Sequence, residues 1–150
     1  MDNVFKKMNF KSSTSVVVIN APMSFGVNME AMKDLTNFHT DCAFVEKTNF
    51  IIAFCTMQSE VDAVAIQVGE KLEADGLLWF AYPKGTSKKF KCDFNRDTGW
   101  TVLGEQGFEP VRMVAIDEDW SALRFRRVEF IKTMTRSSAI TEVGKERIIK

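Results

Sequence analysis

Histidine is nearly absent from this chain and cysteine is scarce: His39 stands alone, and Cys42, Cys55 and Cys92 are the only thiols in 150 residues. An odd number of cysteines at unpaired spacings argues against a disulfide framework, and one histidine cannot complete a Cys/His zinc set. Such usage fits a reducing cytosol. An excess of one charge is also missing. The 20 basic residues balance 20 acidic ones, so no global field draws the chain to nucleic acid or to a membrane surface. No apolar run approaches membrane-spanning length. Met1 to Ser15 carries lysines without an apolar h-region, so no signal peptide is read there. These absences predict a cytoplasmic protein without a metal centre.

What is present is an interior. An apolar share of 45%, with 13 phenylalanines against one tyrosine, is enough for one domain to bury its own core. Val16-Val17-Val18-Ile19 is the β-branched run of a strand covered on both faces. It stops at Asn20-Ala21-Pro22, with Gly26 shortly after. Asn28 is placed to cap a helix from Met29 to about Phe38. Cys42 to Glu46 reads as a short strand or an extended return segment, and Phe50 to Cys55 as a buried strand. Ser59 opens a helix whose Val61, Val64, Ala65, Val68 and Leu72 recur at helical spacing, ending at Asp75-Gly76. Leu77 to Tyr82 is the next buried strand. Asn95 or Asp97 opens a helix reaching Gly107. Val111 to Ile116 and Ser121 to Val128 then form a hairpin across Asp117-Glu118-Asp119. Strand and helix alternating in this way predict a three-layer α/β/α domain over residues 1–130. Its sheet is mostly parallel but mixed, an abbreviated Rossmann-like form closed by a C-terminal β-hairpin. Residues 131–150 read as a basic tail or helix; from Arg124 onward eight basic residues face three acidic ones.

The order of parallel strands, helix, Asp-Gly, apolar strand, helix and closing hairpin resembles the second half of class I methyltransferases. Ala74-Asp75-Gly76-Leu77-Leu78-Trp79 looks like that family's turn before its fifth strand. More specifically, four blocks resemble an uncharacterised bacterial family known only as a domain of unknown function. They are Phe5-Lys6-Lys7-Met8, Ile19-Asn20-Ala21-Pro22, Gly76 to Lys84 and Asp117 to Phe125. The resemblance implies a fold and no activity. The chain also departs from the methyltransferase pattern. Such an enzyme wraps S-adenosylmethionine with an acidic residue and a Gly-x-Gly turn after the first strand. Here Asn20 to Gly26 offers one glycine, no acid, and a proline without an N–H. Glu46 takes the role of the ribose carboxylate only if Cys42 to Glu46 is a parallel strand.

Open α/β sheets bind ligands beyond the carboxyl ends of their parallel strands. That rule selects Asn20, Pro22, Phe25 and Gly26 after the first strand, Thr56 after the second buried one, and Pro83 and Lys84 after the Trp79 strand. The Lys84 ammonium suits a carboxylate or phosphate, although a solvated surface lysine explains it as simply. Trp120 has the area to cover a core edge, and Ser121 lacks a nearby histidine for nucleophilic chemistry. Arg124 either reaches Asp117 across the hairpin or faces solvent. Lys88 to Arg96 interleaves basic and aromatic residues as single-stranded nucleic-acid surfaces do, with Phe90 and Phe94 equally suited to pinning the loop down.

The leading expectation is a non-catalytic module on a degenerate methyltransferase-like fold, holding a small molecule or a protein partner, with a homodimer as one form. It carries no catalytic residues, no cofactor and no membrane contact. A minimal S-adenosylmethionine-dependent methyltransferase is the second reading, and a nucleic-acid-associated protein the third.

Overall fold

In the computed structural model, which describes residues 1–13, 15–94 and 99–131, the valine run becomes β1 (Ser15–Ile19). Its two faces enter separate cores: Val17 joins one, Val16 and Val18 the other. Burial on both sides is what a continuous β-branched run requires, since neither face can be left in water. The other strands are β2 (Asn37–His39), β3 (Thr48–Phe54), β4 (Leu72–Pro83), β5 (Phe108–Ala115) and β6 (Trp120–Arg127). They form one six-stranded sheet in the order β2-β1-β3-β4-β6-β5. The first four run parallel, β6 is antiparallel to β4, and β5 is antiparallel to β6. The fold is therefore α/β with a mixed, mostly parallel sheet and an antiparallel C-terminal hairpin.

Helices α3 (Gln58–Lys71) and α4 (Thr101–Glu105) contribute Val61, Val64, Val68 and Leu103 to the core over Val17, Ile51, Leu78, Phe80 and Phe125. On the opposite face lie α1 (Asn3–Lys7) and the segment around α2 (Gly26–Glu30). Phe5, Met8, Phe10, Phe25 and Met32 pack there with Val16, Val18, Ile52, Trp79 and Ala122. The wholly buried Trp79 donates its indole N–H to the Met8 carbonyl at 3.2 Å, which fastens the end of α1 to the middle of the sheet.

Several sequence expectations need correction. The helix expected from Met29 to Phe38 stops at Glu30, and Asn37–His39 is the edge strand instead. Asn28 caps nothing; its amide donates to the Asp2 carboxylate at 3.1 Å, while Phe38 pairs with Val16 and meets the Phe5 ring at 5.9 Å. Cys42 to Glu46 is not a strand. A 3₁₀ turn at Cys42–Phe44, capped by Asp41 accepting from the Ala43 N–H at 2.9 Å, leads back to β3. The main helix ends at Lys71 rather than at Gly76, and β4 begins at once. Two steps along β3, from Thr48 to Phe50, match five along β4, from Leu72 to Leu77, so residues 73–76 bulge out of the ladder. Gly76 belongs in that bulge: a Cβ there would come within 2.7 Å of the Leu72 side chain and 2.8 Å of the Glu73 carbonyl. The helix start expected at Asn95 or Asp97 and the tail from residue 132 onward lie outside the described residues. Within them, the helix that leads to the hairpin runs Thr101–Glu105.

Candidate functional site at the carboxyl ends of the strands

Parallel register brings the ends of β1, β3 and β4 together. Ile19 pairs with Ala53, and Phe54 with Ala81, so Asn20, Thr56 and Lys84 emerge along one edge of the sheet. Asn20 turns the chain with φ of 57°, a left-handed conformation that asparagine tolerates better than most residues. Its amide donates to Glu60 Oε2 at 3.2 Å. The other Glu60 oxygen accepts from the Thr56 N–H at 2.9 Å, the Thr56 hydroxyl at 3.2 Å and the Met57 N–H at 3.1 Å. One carboxylate thus ties the end of β1 to the end of β3 and satisfies the two N–H groups that lead into α3. Sequence reasoning missed Glu60. The available signal was an acid in the first turn of a helix whose N-cap, Met57, offers no conventional capping oxygen.

The remaining residues selected from the sequence divide. Pro22 is half-buried and its carbonyl accepts from the Phe25 N–H at 3.0 Å, closing a 3₁₀ turn at Met23–Phe25. This turn drives Phe25 into the body, 1% exposed, with its ring 4.9 Å from Phe54 and 5.6 Å from Phe5. Gly26 is exposed, and a Cβ there would meet nothing within 4 Å, so no close approach demands glycine. Pro83 is buried opposite Trp120. The Lys84 N–H donates to the Asp119 carbonyl at 2.8 Å, while its half-exposed ammonium has no partner among the described residues. Asn20 and Thr56 therefore converge through Glu60, Phe25 and Pro83 are structural, and Lys84 stands at the rim.

The basic and aromatic loop spends its rings on the body. Phe90 lies 5.0 Å from Trp120, and Phe94 5.4 Å from Trp100. Ser87 holds the loop by donating to Asp119 Oδ1 at 2.8 Å and accepting from the Phe90 N–H at 3.1 Å. Asp93 then crosses to α3, where its carboxylate accepts from the Gln58 N–H at 2.6 Å. The anion-favouring end of α3 is therefore occupied by two of the chain's own carboxylates, Glu60 and Asp93. Trp120 is a core cover, 3% exposed and 5.2 Å from Phe54. Ser121 has no histidine near it, since His39 lies in β2 at the far edge of the sheet.

Arg124 does not reach Asp117. Asp117 closes the hairpin turn by accepting from the Asp119 and Trp120 N–H groups at 2.8 and 2.9 Å, whereas Arg124 lies 3.9 Å from Asp75 at the far end of the hairpin. Glu46 is exposed and follows no strand, so it loses the proposed ribose role. The carboxylate beyond β2 is Asp41, which commits one oxygen to its own turn. The Cys55 thiol at the end of β3 is pushed up to about 12 by burial and by the Glu60 charge, so it stays protonated. Cys42 shifts in the same direction, chiefly through burial. Among the described residues no three His, Cys, Asp or Glu side chains gather as metal ligands would, and no helix is long and apolar enough to cross a membrane. A cleft of about 220 Å³ opens at the opposite edge of the sheet, between Ser12, Ser13, Lys47, Thr48, Asn49 and Glu73.

No protein-family model matches the chain, and no curated protein does. Solved structures do. A SAM-dependent methyltransferase from Aquifex aeolicus aligns with a TM-score of 0.59 at 11% identity, over 83% of this chain and 87% of that one. A TehB-like SAM-dependent methyltransferase from Corynebacterium glutamicum aligns at 0.51 and 9%, over 83% and 85%. A putative type 11 methyltransferase from Sulfolobus solfataricus gives 0.50 and 10%, over 91% and 92%. At these identities the likeness is one of fold: the chain has a class I methyltransferase-like architecture.

Proposed function

We propose that this chain is a cytosolic interaction module built on a methyltransferase-like fold, and that it does not transfer methyl groups. The observation that carries the reading is Phe25. In place of an open, glycine-lined turn after β1, the loop folds a phenylalanine into the core. Glu60 supports it by closing β1 to β3 from outside, and an anionic ligand drawn to that edge would meet Glu60 and Asp93 already on α3. Pro22 removes a backbone donor where the cofactor of such enzymes needs close backbone contact. The residues present thus fit S-adenosylmethionine poorly. Exposed apolar side chains support a protein partner, a second copy included: Met23, Val27 and Phe44 are 98, 77 and 67% exposed. The free cysteines suit the cytosol. The two tryptophan blocks resemble those of the uncharacterised bacterial family.

Thermal unfolding with S-adenosylmethionine or S-adenosylhomocysteine at millimolar concentration tests this reading. A ligand at a hundred times its dissociation constant stabilises a fold by about 2.7 kcal/mol, several degrees in a domain of this size. The expected result is no shift with either compound. A dose-dependent rise would instead support the minimal methyltransferase, the reading favoured by the nature of the solved structures that share the fold.

A further inference from the structure

Away from that edge, at the amino end of β4, the closing hairpin gathers arginines on the face that also carries α1. Arg124 sits opposite Trp79 on β4 and opposite Arg112 on β5; Arg126 follows two residues on and shares the face. Asp75, in the bulge before β4 straightens, is the carboxylate they share. Arg126 takes it in a two-pronged grip, Nε to Oδ1 at 2.8 Å and a terminal nitrogen to Oδ2 at 2.6 Å. Arg124 is left with a 3.9 Å ion pair to the same carboxylate, and its buried Nε has no hydrogen-bond partner among the described residues. Its side chain is only 14% exposed. Burial lowers its guanidinium below the ordinary value, and the charges of Arg126 and Arg112 act in the same direction against Asp75. Arg112 is exposed with no partner among the described residues. Glu109, opposite Arg126, is wholly buried and has an interaction of its own.

A buried guanidinium with an unmet donor, beside a second free one, is costly unless an acceptor fills the gap. With Asp75 gripped by Arg126, the Arg112 and Arg124 guanidiniums, directly opposite each other across β5 and β6, have no hydrogen-bonded carboxylate among the described residues, and a doubly charged acceptor could engage both. Planar guanidinium forks also suit the oxygens of a phosphoryl group. We propose that Arg112 and Arg124 form a binding site for a phosphate dianion, free or carried as a monoester on a small molecule. The Asp75–Arg126 pair holds the second arginine in place. The site shares no residue with the carboxyl edge, so it stands or falls independently of the interaction-module reading.

The test is thermal unfolding of the full chain in inorganic phosphate and in glycerol 3-phosphate, against sodium chloride of equal ionic strength. The expected result is a saturable rise of about 3 °C or more at ten times the dissociation constant. That rise should disappear in Arg112→Gln, an exposed change that leaves the core intact, and in Arg124→Met if that variant folds. A larger effect from the ester than from phosphate would show that the rest of the ligand is also touched; equal effects would assign recognition to the phosphoryl group alone. No saturable rise with either compound overturns the site, as does an undiminished rise in Arg112→Gln. Line broadening of the ³¹P resonance at substoichiometric protein, abolished by Arg112→Gln, is the second readout.

Discussion

Cys55 follows directly on β3 with its side chain 1% exposed, packed among Ile51, Ala53, Val61 and Tyr82 in the core under α3. Its folded value of about 12 lies above the 9.0 of an unperturbed thiol. The unfolded chain therefore releases this proton near pH 9 while the folded chain keeps it. Above pH 9 the unfolded state binds fewer protons, so stability falls as pH rises, by about 1.4 kcal/mol per unit from this group alone. Below pH 9 the thiol is protonated in both states and contributes no slope. Urea unfolding at pH 9.0, 9.7 and 10.4 checks this against Cys55→Ala, because groups common to both proteins cancel in the difference. The wild type should lose stability more steeply by that amount. Parallel slopes would mean the thiol ionises freely in the folded state. The sequence could show that Cys55 has no disulfide mate, but its burial depends on which strand lies beside β3 and which helix covers it. Arg124 is a similar case. Its alternation with apolar neighbours was visible, yet its actual partner, Asp75, is 49 positions away and meets it only through the β4–β6 register.

At the scale of elements, what was legible were the segments whose own residues supply the reason for their structure. β1 follows from its valine run, α3 from apolar spacing over four turns, and the hairpin from Asp117, whose carboxylate organises the turn within three residues. Elements fixed by distant groups were not legible. α3 stops at Lys71 without a glycine cap because Arg127, from β6, donates to the Gly69, Leu72 and Ala74 carbonyls and satisfies acceptors that a Schellman turn would otherwise serve. The three-residue β2 had no pattern to display, and its place at the sheet edge is set by pairing with β1. The start of α3 lies between these cases. Glu60 supplies the acceptors that Met57 cannot, so Glu60→Ala leaves the N–H groups of Thr56 and Met57 without their acceptor and frees Asn20. The expected cost is about 1 to 2 kcal/mol in a urea titration with an unchanged m-value. Glu60→Gln, which keeps one acceptor oxygen, should recover about half. A cost below 0.5 kcal/mol in Glu60→Ala, on the order of an ordinary surface substitution, would show that the carboxylate does not hold these strand ends together.

For the molecule as a whole, the sheet has two faces and the chain covers them by different means. The α3 face is closed by a 14-residue helix. The other is closed by short pieces, of which α1 is only five residues long. So short a helix has no independent stability. It persists because Asp2 accepts from the Val4 and Phe5 N–H groups, because the Met8 carbonyl receives the Trp79 indole, and above all because Phe5 and Met8 are fully buried. Phe5 is the centre of that cover, with its ring 5.6 to 6.0 Å from those of Phe10, Phe25, Phe38 and Phe50. Burying Phe5, Met8 and Phe10 contributes about 2 kcal/mol each by area, roughly 6 in all, against a total stability of about 5 to 15 kcal/mol for a domain. Removing residues 1–11 would also uncover Val16, Val18, Ile52 and Trp79 and strip the indole of its acceptor. The truncated chain should therefore lose its cooperative thermal transition and bind a hydrophobic dye while keeping part of its far-ultraviolet dichroism. A single change in the same place, Trp79→Phe, should preserve cooperativity and cost about 1 to 3 kcal/mol, because it removes one buried hydrogen bond and some packing. A truncated chain that still melted sharply within a few degrees of the full one would show that the sheet holds without α1. The burial of Phe5 would then be a consequence of the fold rather than one of its causes.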